Sequence, residues 1–92
     1  MVGTPYYLEL RKHVDKIFAK MAKKEKHNLE IIYKKIKEVC YDPTKFKPLG
    51  APKQNLRRVH VLKSFVITYS IDEATHTVWI EDYDHHDNIY EQ

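Results

Sequence analysis

The chain has 92 residues, of which 42% are hydrophobic and 32% charged, with a formal net charge of +3. That length is enough for a single domain spanning residues 1–92, and too short for a dinucleotide-binding domain beside a substrate domain. One cysteine, Cys40, excludes an internal disulfide or a paired-cysteine metal site, and two glycines exclude a glycine-rich phosphate loop.

The charge is divided along the chain. Residues 1–50 carry a formal +6 and residues 51–92 a formal −3. The basic half is rich in lysine, which suits either a solvated helix surface or a surface that meets a polyanion or an acidic partner. No apolar run approaches the roughly 18 residues of a membrane span, and no secretory stretch is evident near the start, so a cytoplasmic protein without membrane contact is expected.

Residues 1–5 read as a leader. The compact run Tyr6 to Leu10 reads as a strand. Val14, Ile17, Phe18 and Met21 follow the spacing of a helix face, and Leu29, Ile32, Tyr33, Ile36, Val39 and Cys40 repeat it after the lysine cluster at 23–26. Two helices joined by a short polar turn, folded back as an antiparallel hairpin, are predicted. Asp42-Pro43 stops the second helix, because the residue before proline avoids the helical region. Residues 42–55, with Pro43, Pro48, Gly50 and Pro52, form a connecting loop.

The period then changes to two. Val59 and Val61 alternate with Arg58 and His60; Phe65, Ile67, Tyr69 and Ile71 alternate with Val66, Thr68 and Ser70; Val78 and Ile80 alternate with Thr77, Trp79 and Glu81. Three strands with short connections imply antiparallel hairpins, with a turn at residues 72–75. The predicted fold is α+β: an N-terminal strand and a two-helix antiparallel hairpin packed on one face of a mainly antiparallel sheet with three C-terminal strands. Val59, Val61, Phe65, Ile67, Tyr69 and Ile71 suit the face under the helices. Arg58, His60, Val66, Thr68 and Ser70 then occupy an open, half-polar face, a natural place for a ligand.

With these residues in order, the chain resembles the toxins of the RelE/ParE superfamily of type II toxin–antitoxin systems. Three segments carry the resemblance: Tyr7-Leu8-Glu9-Leu10 with the lysine-rich helix after it; Lys47-Pro48-Leu49-Gly50, similar to a "PLxG" loop; and Arg57-Arg58-Val59-His60-Val61 followed by Val66-Ile67-Thr68-Tyr69-Ser70-Ile71, similar to the family's active-site hairpin and nearest its YafQ-like branch. The end, His85-His86-Asp87-Asn88-Ile89-Tyr90, resembles a "GHRxxVY" segment. There are departures. Val66 stands where an arginine often follows the third-strand aromatic, Ser64 where the YafQ-like branch often has an aspartate, and His86 where the arginine of "GHR" would be.

The resemblance implies a RelE-like microbial RNase fold and a toxin that cuts mRNA within the ribosomal A site, silenced by a cognate antitoxin. The expected state is a monomer or a hetero-oligomer with that antitoxin. The ParE branch, which acts on DNA gyrase without cutting RNA, and a toxin-like binder that has lost activity are the alternatives.

RNA carries its own nucleophile, the 2′-hydroxyl beside the scissile phosphate. Cleavage needs a base, an acid and a cation, which histidine and arginine supply without a metal or other cofactor. His60, beside Arg58, is one candidate base or acid. His85 or His86 is its complement; adjacent residues point to opposite sides, and the motif favours His85. Arg57 and Arg58 are phosphate candidates, Arg58 by strand parity and Arg57 by the resemblance. Tyr90 is a candidate to orient a base or bind phosphate. Lys34, Lys35, Lys45, Lys47 and Lys63 are the expected RNA-binding lysines. Trp79 and Tyr83 are candidates to stack a base, although packing suits Trp79 better. Asp84-His85-His86-Asp87 are too close in sequence to converge on one ion, so no metal site is expected. His13, His27 and His76 read as surface residues.

Overall fold

The computed structural model describes residues 3–51, 53 and 55–90, with backbone alone at position 90. Met1 and Val2 of the leader, Pro52 of the loop and the Tyr90 side chain lie outside the described residues. The elements, in order, are β1 (Tyr7–Leu10), α1 (Lys12–Lys24), α2 (Lys26–Tyr41), β2 (Arg57–Val61), β3 (Phe65–Asp72), β4 (Thr77–His85) and α3 (His86–Tyr90). The α+β class and the helix–helix–strand–strand–strand order follow the sequence expectation. The short helix α3, at the "GHRxxVY"-like segment, is an addition to it.

The polar turn between the helices is a single residue. Glu25 closes α1, its N–H donating to the Met21 carbonyl at 2.7 Å, and its φ of −136° and ψ of 50° take the chain out of the helix before α2 begins. The hairpin closes symmetrically about it: the Phe18 ring meets the Tyr33 ring edge-on at 5.6 Å. Lys23 and Lys24 sit in the last turn of α1, where the helix dipole favours positive charge. The buried stripe of α1 is Val14, Phe18 and Met21; that of α2 is Ile32, Ile36, Val39 and Cys40. At Asp42 the φ of −151° marks the end imposed by Pro43.

These stripes cover one face of a four-stranded sheet of order β1-β4-β3-β2. The three C-terminal strands are antiparallel, and β1 joins the edge of β4 in parallel, Leu8 opposite Val78. Val59, Val61, Ile67, Tyr69, Val78, Ile80 and Tyr83 complete the core. A β-bulge interrupts the β3–β4 ladder. Tyr69 stands opposite Ile80 but Thr68 opposite Asp82, so Glu81 is an extra residue on β4. The sequence shows this in retrospect, because the apolar step from Ile80 to Tyr83 is three residues instead of two.

The second correction concerns the far face of the sheet. Val66 and Thr68 point away from the α1–α2 layer, yet Val66 is 0% and Thr68 4% exposed. The face is not open. Helix α3 packs on β3 and β4 there, and the loop after β1–α2 reaches it through Leu49 and Leu56. Its two margins remain uncovered, at β2 where His60 stands exposed and at β1 where Tyr7 and Glu9 do.

Candidate active site

Two rows of side chains cross the far face. His60, Val66 and Asp84 stand opposite one another on β2, β3 and β4; Arg58, Thr68 and Asp82 form the next row. Antiparallel pairing fixes these rows, and the two-residue period puts them on one face.

The bulge decides which C-terminal histidine joins them. With unbroken alternation from Ile80, His85 would share a face with His60. The extra residue at Glu81 reverses the parity, so Tyr83 enters the core and His85 falls on the Phe65 side. The His85 ring meets Phe65 edge-on at 5.6 Å. The His86 ring instead lies against that of His60, with centroids 5.7 Å and planes 30° apart. The turn between β2 and β3 fixes this placement, since the His86 N–H donates to the Ser64 carbonyl at 2.7 Å. Ser64, standing where the YafQ-like branch often has an aspartate, thus contributes its backbone carbonyl. His86 also has Asp87 beside it, Nδ1 to Oδ1 at 3.4 Å, and Asp87 reaches His85 Nδ1 at 3.8 Å through Oδ2.

The two arginines divide by parity. Arg58 lies on the histidine face, half-buried, one pair along β2 from His60. Arg57 lies on the other face and holds the loop: its Nη1 donates to the Phe46 carbonyl at 2.6 Å and lies 3.5 Å from the Thr44 carbonyl. Beside it the buried Tyr69 hydroxyl donates to the Pro43 carbonyl at 2.6 Å. Burial pushes the Tyr69 phenol up to about 12, with Arg57 opposing the shift and Asp42 adding to it.

The lysines are scattered. Lys63 sits exposed at the hairpin tip, the nearest of them in sequence to His60, and Lys47 is exposed in the loop, its carbonyl accepting the Arg58 N–H at 3.2 Å. Lys45 approaches Glu38 at 3.7 Å and lies over the Phe46 ring. Lys34 and Lys35 are on α2, across the sheet from the histidines, and Lys35 pairs with Glu38 at 3.1 Å. Tyr83 cannot serve as a base-stacking platform on the far face: it is 7% exposed, stacked on Phe65 at 5.0 Å. Trp79 is occupied by the Arg11 guanidinium, 4.1 Å over its ring. His13 contacts Asp82 at 3.3 Å, His27 approaches Glu30 at 3.8 Å, and His76 stacks on Tyr6 at 3.8 Å.

Among the described residues, no three His, Cys, Asp or Glu side chains are grouped to hold a metal ion, and no helix is long and apolar enough to cross a membrane. What the site offers is two imidazoles in contact and a guanidinium on the same strand face. That set can move protons and neutralise an anion.

No protein-family model matches the chain. An uncharacterized protein of Methanosarcina mazei is 49% identical over 85 residues, covering 92% of this chain and 99% of that one. The Methanocaldococcus jannaschii protein named "Putative toxin RelE4" is 41% identical over 87 residues, covering 95% of this chain and 93% of that one. Among solved structures, the Mycobacterium tuberculosis toxin–antitoxin complex RelBE2 contains a chain that aligns with a TM-score of 0.74 at 19% identity, over 89% of this chain and 92% of that one. A double mutant of E. coli toxin RelE in the free state aligns with a TM-score of 0.72 at 19% identity, over 96% and 90%. Both show the shared fold.

Proposed function

The chain belongs to the RelE toxin family, and from that membership and the contact between His60 and His86 we propose that it is the toxin of a toxin–antitoxin pair and cleaves mRNA. The histidine contact is the observation that carries the nuclease reading. The O2′ nucleophile and the O5′ leaving group are bonded to one phosphorus in the transition state, so a base and an acid serving them must stand close together. Two imidazoles 5.7 Å apart meet that need. One takes the 2′-hydroxyl proton and the other protonates the departing O5′. Arg58 faces the charge that develops on the phosphoryl oxygens, and its planar fork suits two of them. The products are a 2′,3′-cyclic phosphate and a 5′-hydroxyl.

Within this reading the substrate is mRNA in the ribosomal A site. Lys63 and Lys47 approach it from the hairpin tip and the loop, and Lys34, Lys35 and Lys45 meet ribosomal RNA or the antitoxin on the other side of the molecule. The silencing partner is an antitoxin that lays an acidic amphipathic helix on α2. A groove of ≈ 420 Å³ there has Leu29 and Tyr33 in its floor and Lys26, Lys34 and Lys37 around it, which suits an apolar stripe flanked by carboxylates.

The test is to express the chain alone and map mRNA ends by primer extension. Growth arrest with new 5′ ends, abolished in a His60→Ala/His86→Ala double variant, is the expected result. Arrest with intact mRNA and DNA damage would assign the chain to gyrase inhibition, and harmless expression would assign it to a binder without activity.

A further inference from the structure

Asp87 meets both C-terminal histidines, through groups of opposite kind. Its backbone N–H donates to His85 Nδ1 at 3.3 Å. Its carboxylate meets His86 instead, Oδ1 to Nδ1 at 3.4 Å. The second carboxylate oxygen stands 3.8 Å from His85 Nδ1, beyond hydrogen-bond reach. The start of α3 produces this arrangement. His85 stands just before the helix, and its ring takes the place of an N-cap side chain, accepting from the N–H two residues on. The backbones of both histidines are anchored by other groups: the His85 N–H donates to Asp84 Oδ1 at 2.7 Å, and the His86 N–H to the Ser64 carbonyl at 2.7 Å.

A neutral imidazole carries one proton, and the partner of one ring nitrogen decides which nitrogen holds it. A backbone N–H can only donate, so His85 Nδ1 bears the lone pair and the proton is on Nε2. An ionised carboxylate can only accept, so His86 Nδ1 bears the proton and the lone pair is on Nε2. Neighbouring histidines thus hold opposite tautomers, sorted by one residue. An imidazole side chain in water favours its proton on Nε2, so His86 is the ring turned from its ordinary state.

We propose that Asp87 is a positioning residue for His86, whose carboxylate keeps the ring proton on Nδ1 so that Nε2 exchanges protons with the RNA. The proposal rests on the RNA-cleaving reading for its reaction, but the tautomer is read without cleavage. As a base, His86 takes the 2′-hydroxyl proton on Nε2 and becomes an imidazolium. As an acid, the imidazolium gives its Nε2 proton to O5′ and is left neutral. In both directions the Nδ1 proton stays in place and Asp87 accepts it. The Asp87 side chain is 68% exposed, so the effect is modest.

The experiment records proton–nitrogen correlation spectra of the histidine rings in the labelled full chain, at about pH 8.5, above the ordinary histidine value. The nitrogen with the proton and the nitrogen with the lone pair resonate far apart, so each tautomer is read directly. In the wild type, His85 should carry its proton on Nε2 and His86 on Nδ1. Asp87→Ala should return His86 to the Nε2 form and leave His85 unchanged, because the backbone N–H at position 87 remains. Single-turnover cleavage by that variant should be slowed about 10-fold, the lower end for the outer partner of a histidine. Its RNA affinity should be equal or higher, because an exposed anion is gone. Asp87→Asn retains an acceptor oxygen and should keep the His86 tautomer and most of the rate.

A wild-type His86 with its proton on Nε2, or a tautomer that survives Asp87→Ala, overturns the proposal. So does a change of both rings in Asp87→Ala, which would make Asp87 a support of α3, and so does an unchanged cleavage rate beside a changed His86. Asp87→Asn that keeps the tautomer and loses the rate would assign the effect to charge and overturn it as well. The expected tautomers in a chain that cuts no RNA would uphold the hold of Asp87 on the His86 ring and remove the nuclease reading.

Discussion

The His86 imidazole lies against that of His60, 5.7 Å between centroids, while its neighbour His85 packs edge-on to Phe65 on the opposite side of the sheet. Adjacent histidines are thus separated into one that shares space with a second imidazole and one that packs with the aromatics. Replacing either member of the contacting pair with alanine should lower RNA cleavage about 10²- to 10⁴-fold, the usual weight of a proton-transfer group. His85→Ala should cost far less activity and show its effect in melting temperature. Single-turnover cleavage of a defined mRNA by the three variants, with melting curves alongside, checks the assignment. A larger loss of cleavage from His85 than from His86 would reject it.

Arg57 and Arg58 are neighbours with opposite duties. Arg57 holds the 43–46 segment from the core side, and Tyr69 holds the same segment at Pro43. Removing a charged donor from such a contact costs about 1.5–3 kcal/mol. For a domain of this size, each kcal/mol lowers the melting temperature by about 4–8 °C. Arg57→Ala should therefore melt earlier, with the activity of its folded fraction retained. Arg58→Ala should bind RNA more weakly, with a shallower dependence on salt. Thermal denaturation and RNA titrations at two salt concentrations separate the two, and an exchange of these phenotypes would contradict the division.

Much of this was legible in the residues. The 3.6 spacing of Val14, Phe18 and Met21, and of Ile32, Ile36 and Val39, gives both helices, and the change of period at Val59 gives the sheet. Asp42-Pro43 marks the break between the two regimes. Parity alone placed His60 and Arg58 on the face away from the helices. It failed after Ile80, because a bulge adds a residue without adding a hydrophobic one, and the motif-favoured His85 went to the wrong side with it. Tyr83, expected as a stacking platform, became core for the same reason. The cover over Val66 and Thr68 was hidden for a different cause: it comes from a five-residue helix and an irregular loop, neither of which has a period to read. Leu49 and Ile89 gave no sign that they would line one pocket over that face.

The β2–β3 turn is built against local preference. Leu62 and Lys63 have φ values of 52° and 63°, a left-handed conformation that side chains with a Cβ disfavour. This turn presents the Ser64 carbonyl to the His86 N–H. Lys63→Gly should relieve about 1 kcal/mol, partly offset by the greater freedom of glycine in the unfolded chain, and leave the melting temperature equal or higher. RNA binding should weaken at the same time, because a cation is lost beside the site. A lower melting temperature with unchanged RNA affinity would show that Lys63 serves the turn and not the RNA.

Glu81, the bulged residue, supports an acid-sensitive clamp between the first helix and the sheet. Arg11 grips its carboxylate with Nε at 2.9 Å and Nη2 at 3.0 Å, and the Ser70 hydroxyl adds a third contact at 2.6 Å. The Arg11 hydrogen bonds, against some desolvation and with help from Ser70, hold the carboxyl below its ordinary range. The unfolded chain takes up this proton first on acidification. The stabilisation is therefore present above the unfolded glutamate value of about 4.3 and is lost as pH falls through the lower folded value. Glu81→Gln keeps the bulge and removes the charge. It should melt below the wild type at pH 7, and the gap should narrow steadily in acid as the wild-type carboxyl is protonated. Melting temperatures of both proteins from pH 7 down to pH 3 test this. Equal melting temperatures of the two proteins at every pH would mean that the ion pair contributes nothing and that Glu81 acts only through its backbone place in the bulge; a constant gap would reject the carboxylate's protonation as its cause.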